Sequence, residues 1–213
     1  MSLAPVIREG RIYTRDLKGG RPVYGEQIVE IDGDLFREWI PWRSKMAALL
    51  KKDHDISIPS GRVLYLGAAQ GTTVSHISDL NPSGIIFAVE FSRVPFVKLS
   101  ALARERGNIV PILEDAGHPE RYAAMVGSVD FIYQDVSQKD QAGIFLRNAD
   151  TLLRKGGSGI LMIKARSIDV TSDPAGIYEM ISDRISDAGY TVARIQPLDP
   201  YQADHAAIIC IRS

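Results

Sequence analysis

The chain has 213 residues, 45% of them hydrophobic, which is enough to bury one large core with a small addition. No apolar run is long enough to cross a membrane and no signal-peptide core opens the sequence, while 25 basic residues against 26 acidic ones argue against a nucleic-acid binder that works by charge alone. The single cysteine, Cys210 in AAIICIRS, excludes an intrachain disulfide and reads as a buried residue of an intracellular protein.

Met1 to Leu3 carry no weight in this reading. Residues 6 to 31 predict short strands with turns: VIREGRIYTRDL, then KGGRP, then VYGEQIVEI, with Gly19-Gly20 and Pro22 punctuating a hairpin. Residues 1–38 are therefore taken as a small β-rich domain, and 39–213 as the main one. Charge is uneven. Arg8, Arg11, Arg15, Lys18 and Arg21 cluster against Glu9 and Asp16, and RSKMAALLKK follows at 43–52. Such runs are usually solvated surface, and a phosphate footprint is the sharper alternative. Pro41 at a first-turn position and the spacing of Met46, Leu49 and Leu50 predict a helix over 41–53.

Beyond Pro59 the chain alternates. Strands are predicted at 62–67, 85–90, 108–114, 129–135 and 159–165, then at 191–198 and 205–212. The segments TVSHISDL, PFVKLSALARER, PERYAAMV, DQAGIFLRNADTLLRK and AGIYEMISDRISDAG are read as helices between them. Nearly continuous apolar strands indicate burial on both faces, hence a parallel sheet. The last two strands have no room for a helix between them and are expected to form an antiparallel pair. The predicted fold is a doubly wound α/β sheet of seven strands with a terminal antiparallel hairpin.

Ligands of such sheets lie at the carboxyl ends of the strands. The first strand ends in GAAQGTT at 67–73, where Gly67-x-x-x-Gly71 fails the G-x-G-x-x-G spacing that a diphosphate needs. The next three strands end in acids. Glu90 suits ribose hydroxyls, Asp115 an adenine amino group, and Asp135 stands with Gln138 a turn further on. NAD sites also use an acid like Glu90. Three acids beside a bend without pyrophosphate spacing describe an adenosine site lacking a diphosphate, and S-adenosylmethionine is the common ligand of that description.

Methyl transfer from a sulfonium requires a positioned nucleophile relieved of its proton. Lys164 closes the apolar run LMIKARS, where a snorkelling stem is the structural alternative. Asp135, one strand away at the same level, favours a partnered functional lysine. Its role is either proton acceptor or a charge that orients a hydroxyl and stabilises the developing alkoxide. Lys45 in PWRSKMA reaches the same mouth if its helix packs there. His54, His76, His118 and His205 lack metal-ligand spacing, so no metal is expected. His76 reads as helix packing, and His205 as a residue able to overhang the pocket.

The motifs WIPWRSKMAA, VLYLGAAQGTTVSHISDL, AVEFS, NIVPILEDAGHP, VDFIYQDVSQKDQ, GILMIKARSID and LDPYQADHAAII, in this order, resemble the fibrillarin family in its archaeal form. The resemblance spans nearly the whole chain. It implies a Rossmann-like S-adenosylmethionine-dependent methyltransferase that modifies ribose 2′-oxygens of rRNA and tRNA within a box C/D particle. In such a particle a guide RNA pairs with the target, a Nop-domain scaffold protein holds the enzyme, and a kink-turn-binding ribosomal-type protein anchors the RNA. Mapped onto this chain, cofactor contacts are implied for the bend Gly67, Ala68, Gly71, Thr72 and Thr73, for Glu90 and Phe91, and for Asp115 and Ala116. The run Asp135, Val136, Ser137 and Gln138 completes them. The implied catalytic group is Lys45, Asp135 and Lys164, with His205 the nearest fourth member. Gln70 where serine is common, and Gly117 in place of a larger, often basic residue, depart from the family pattern. The eukaryotic glycine- and arginine-rich extension is not seen, which sets an archaeal cytoplasm as the expected location. The alternatives are a stand-alone methyltransferase for a small molecule or protein, a structural subunit that binds the cofactor without chemistry, and a nicotinamide dehydrogenase.

Overall fold

A computed structural model describes residues 3–213; Met1 and Ser2, given no weight above, lie outside the described residues. The first four strands are β1 (Val6–Arg8), β2 (Arg11–Arg15), β3 (Ile28–Ile31) and β4 (Asp34–Glu38), and they form an antiparallel sheet in the order β1-β2-β4-β3. Its tight turns are Glu9-Gly10 and Asp32-Gly33, with φ of 50° and 72° in the first and 53° and 85° in the second. Positive φ at both central residues matches the right-handed twist of the paired strands, which is why glycine stands second in each. The hairpin expected around Gly19-Gly20 is not there: residues 16–27 form a long connection, and β2 pairs with β4 rather than with β3. The strand β4 itself has no clean alternation in DLFRE and was not predicted.

The helix expected over 41–53 breaks at Ser44. Pro41–Arg43 is a single 3-10 turn, and α1 runs Lys45–Lys52 with the Ser44 side chain accepting from the Ala47 N–H at 3.3 Å. Serine is a strong N-cap because its oxygen satisfies an amide that the first turn leaves free.

Seven strands follow: β5 (Arg62–Leu66), β6 (Ile85–Glu90), β7 (Ile109–Leu113), β8 (Val129–Gln134), β9 (Leu153–Lys164), β10 (Tyr190–Pro197) and β11 (His205–Arg212). Their order is β10-β11-β9-β8-β5-β6-β7. The pairs from β9 to β7 are parallel, and β10, β11 and β9 are antiparallel, as expected for a terminal hairpin. The connecting helices are α2 (Thr72–Leu80), α3 (Arg93–Glu105), α4 (Ala123–Val126), α5 (Gln141–Leu152), α6 (Ala165–Ile168) and α7 (Pro174–Asp187). PERYAAMV is only a 3-10 turn at Pro119–Arg121 followed by the four residues of α4. The helix α5 stops at Leu152, since Leu153 already pairs with Val129 in the sheet.

Two apolar layers enclose this sheet. Val63 and Tyr65 of β5 pack with Leu49, Val74, Ile77 and Leu99 from α1, α2 and α3, while Leu64 and Leu66 pack with Phe145, Ile177 and Ile181 from α5 and α7. The small sheet is fixed to the first layer by a buried polar cluster. Arg37 donates to Glu26, Asp79 and Ser75, and Arg106 donates to the other oxygen of Asp79. His76 lies among them, bonded to Thr14 and Tyr24 at 2.7 Å each and stacked on Trp39. The chain runs from β5 to β6 and β7 on one side and returns to β8 and β9 on the other. The strand ends at that reversal form the ligand-binding edge.

Candidate active site

A cleft of about 510 Å³ opens at this edge. Of the residues expected to hold a cofactor, Gly67, Glu90, Phe91, Ala116, Asp135, Val136, Ser137 and Gln138 line it together. Gly67 has φ of +83°, and a Cβ there would run into the Asp135 carbonyl. Glycine thus lets the end of β5 abut the chain after β8, tightened by the Asp135 N–H donating to Leu66 O at 2.8 Å.

Glu90 is the most completely fixed acid of the site. One carboxylate oxygen accepts from the Ala69 N–H at 2.7 Å and the other from the Ser92 N–H at 2.7 Å. Each oxygen can accept a second bond, so the group is oriented and still able to take two hydroxyl donors. Ala69 reaches it from a left-handed conformation, φ +49°, which costs a residue with a side chain about 1 kcal/mol. That cost falls on the residue whose amide aims Glu90. Phe91, 70% exposed, offers an aromatic face at the same wall.

Other expected residues are placed differently. Ala68 is buried beneath the bend. Gly71, φ +94°, opens α2, and a Cβ there would press into Leu102 at 2.5 Å. Thr72 faces a second cleft with Tyr24, Arg43, Gln70 and Lys98. Thr73 is buried and its hydroxyl lies 2.9 Å from the Ser44 hydroxyl, which ties the bend to the cap of α1. Asp115 turns one oxygen back onto the Gly117 N–H at 2.8 Å, while its neighbours Glu114 and Ala116 line the cleft. Ala69, Glu114 and Ser44 were missed by sequence reasoning. Only Ser44, an N-cap residue type before an apolar period, carried a usable signal.

Lys164 was the expected partner of Asp135, with Lys45 expected to reach the same mouth if its helix packs there; the structure pairs Asp135 with Lys45. Lys45 Nζ lies 2.7 and 3.0 Å from the two oxygens of Asp135, with about a fifth of each side chain exposed. The reason is the Ser44 break, which starts α1 at Lys45 and points its first side chain at the end of β8. Lys164 is held by its backbone, its N–H donating to Gln141 Oε1 at 2.9 Å and its carbonyl accepting from Gln141 Nε2 at 3.2 Å. His205 is the cross-strand neighbour of Lys164 in the β9–β11 register. Its Nδ1–H donates to Ala203 O at 2.6 Å, so Nε2 is the ring's acceptor. Desolvation, with Lys45 and Lys164 adding repulsion, holds its pKa below 6.5. One carboxylate, two lysines and a neutral imidazole therefore meet at the ends of β8, β9, β11 and α1. The group carries a net positive balance suited to an oxygen that is acquiring negative charge.

Comparison with known proteins agrees with this architecture. The fibrillarin family model matches residues 6–213. The chain is 45% identical over 190 residues to the fibrillarin-like rRNA/tRNA 2′-O-methyltransferase of Archaeoglobus fulgidus, covering 89% of this chain and 88% of that one. Aeropyrum pernix fibrillarin, solved with natively bound S-adenosyl-L-methionine, superposes with a TM-score of 0.86 at 41% identity over 99% of both chains. The fibrillarin of a fibrillarin/Nop5p complex gives 0.91 at 41% identity over 100% of both. A match of this length, together with seven strands in this order and a bend that lacks the diphosphate spacing, leaves one assignment: the chain belongs to the fibrillarin family.

Proposed function

We propose that the protein is an S-adenosylmethionine-dependent ribose 2′-O-methyltransferase of rRNA and tRNA, acting in a box C/D ribonucleoprotein. The observation that carries this reading is a single cleft lined by both Glu90, preset to accept two hydroxyls, and Asp135, held by Lys45. Relatives named as rRNA/tRNA 2′-O-methyltransferases, a neighbour with S-adenosyl-L-methionine and one complexed with Nop5p support the same reading.

The residues present fit the cofactor: Glu90 would take the sugar hydroxyls, Phe91 and Ala116 would offer apolar walls to the purine, and Gly67 leaves room at the bend. When bound, S-adenosylmethionine supplies an electrophilic methyl group. The chain's own task is to bring a ribose hydroxyl to that methyl and relieve it of its proton. Lys45 fixes Asp135 so that it can orient the hydroxyl, Lys164 adds positive charge where the alkoxide develops, and His205 Nε2 is a ready proton acceptor. Water exclusion and alignment come from the partners, RNA and a Nop-domain protein. In finer terms these are a guide RNA paired with its target, the scaffold, and a kink-turn-binding protein. Base pairing then reads the sequence, so the enzyme needs little charge of its own to grip phosphates.

The test is methyl transfer to a guide-paired RNA, with and without the scaffold and kink-turn proteins. Product is expected at the guide-selected 2′-oxygen only in the full assembly. Efficient methylation of bare RNA by the isolated chain would overturn the guided reading.

A further inference from the structure

Trp42 is 61% exposed, whereas Trp39, three residues earlier, is fully buried. A large exposed indole is the informative kind of surface residue, because burial would ordinarily stabilise it. This one is also held still. Its ring meets Tyr201 edge to face, with centroids 5.2 Å apart and planes at 66°, and Tyr201 packs on the core layer of α1 and β5. The loop that carries Tyr201 is fastened at two points: Gln202 Nε2 donates to Pro41 O at 3.0 Å and Lys52 Nζ to Asp199 O at 2.8 Å.

The aromatic pair stands between the two segments that supply the reacting group. Trp42 precedes Lys45 in the same short stretch, and Tyr201 precedes His205, whose register partner is Lys164. The cations of that stretch are already engaged. Arg43 lies over the Tyr24 ring, Lys45 holds Asp135, Lys51 donates to Gly10 O and Lys52 to Asp199 O. Beside these tethered cations the rim presents an exposed aromatic face.

We propose that Trp42, braced by Tyr201, is a contact for the target RNA strand. Its indole packs on the base or sugar of a nucleotide flanking the methylated ribose and sets that strand in line with Lys45 and Asp135. The chemistry matches the task. Every nucleotide offers an aromatic base and an apolar sugar face, so such a contact accepts any sequence that the guide selects. The 2′-hydroxyl lies on the wide, shallow side of an RNA duplex, where a projecting ring reaches the sugars beside it. This inference deepens the proposed function and rests on it.

The chain has two tryptophans, so labelling it with 5-fluorotryptophan gives two 19F resonances, and buried Trp39 serves as the internal reference. The labelled protein is assembled with scaffold, kink-turn protein and guide RNA, and target RNA is then added. The Trp42 resonance is expected to shift and lose its H2O/D2O sensitivity on target addition, with Trp39 unmoved. In the same particle Trp42→Ala should lower kcat/KM for target RNA roughly tenfold. Trp42→Phe should recover most of that loss, and cofactor affinity and Tm should stay at wild-type values in both. Trp42 becoming solvent-protected when the scaffold binds, before any target is present, would overturn the proposal, as would wild-type turnover by Trp42→Ala. A wild-type particle that shows the target-dependent shift yet does not methylate would sink the functional reading and leave the contact standing.

Discussion

Lys45 grips both oxygens of Asp135, at 2.7 and 3.0 Å, across ninety residues of sequence. The pair is about four-fifths buried and bidentate, so removing either partner strands the other at the mouth of the cleft. Lys45→Ala and Asp135→Asn are each expected to lower kcat by roughly 100-fold or more, the scale seen when a preorganised charge is deleted from an active site. Because the two act as a unit, the double variant should lose little beyond either single one. Single-turnover methylation in the assembled particle measures this. Additive losses would show that the lysine and the carboxylate act independently.

Glu90 makes a separable prediction. Its oxygens are held by the Ala69 and Ser92 amides, so Glu90→Gln both discharges the group and sets an amide N–H against a backbone N–H. Hydrogen bonds to a charged acceptor contribute about 1.5–3 kcal/mol, so the Kd for S-adenosylmethionine should rise roughly 10- to 100-fold. Calorimetric titration of the isolated chain reads this directly. At saturating cofactor kcat should change far less, and a variant that keeps wild-type affinity would remove Glu90 from the sugar site.

The sheet was legible because its strands are buried on both faces, and nearly continuous apolar runs in β5, β6 and β8 announce that. Site positions followed, since strand ends are where loops must expose polar residues: Glu90 and Asp135 were found this way. The small sheet was misread because its real turns, Glu9-Gly10 and Asp32-Gly33, are less conspicuous than the Gly19-Gly20-Arg21-Pro22 stretch, which lies in a long connection. The pairing of Asp135 was only partly legible for a similar reason. Adjacent strands suggested Lys164, but a capped helix from elsewhere in the chain delivers Lys45, and no local pattern encodes that packing. Asp115, read for an adenine amino group, accepts from the Gly117 N–H with one oxygen, and its neighbours Glu114 and Ala116 line the cleft.

His205 would set the pH dependence of the reaction as its proton acceptor. Its Nδ1–H is spent on Ala203 O, and desolvation, aided by Lys45 and Lys164 and opposed by that hydrogen bond and by Asp135, holds its pKa below 6.5. If Nε2 takes the hydroxyl proton, the rate should hold as pH falls through 6.5 and decline only in a more acidic window. His205→Gln should flatten that acid limb and lower kcat by roughly 100-fold, within the range for a positioned general base. A pH–rate profile under single-turnover conditions decides it. An unchanged acid limb in the variant would make the histidine a neighbour of the reaction and leave Lys164 as the proton acceptor.

The buried cluster between the small sheet and α2 predicts how stability responds to acid. His76 is fully buried, and desolvation, reinforced by Arg37 and Arg106, drives its pKa well below 6.5. The unfolded chain therefore binds a proton that the folded chain refuses. Its stabilising contribution is complete above about pH 6.5 and is lost as pH falls, at up to about 1.4 kcal/mol per pH unit. Glu26 acts later. Burial opposes its ionisation, but the Val23 and Tyr24 amides and Arg37 outweigh that and hold its pKa below 4.5, so its contribution disappears only in stronger acid. His205, also depressed, adds to the upper window, so the informative quantity is the difference between wild type and His76→Phe. The variant leaves Thr14 and Tyr24 without their imidazole partner and should cost about 1–3 kcal/mol at neutral pH. The same variant should have a shallower loss of stability between pH 6.5 and 5, measured by urea unfolding at each pH. Parallel slopes for the two proteins would mean that the buried imidazole does not carry the acid sensitivity, and that the charges of Arg37, Glu26 and their partners must account for it.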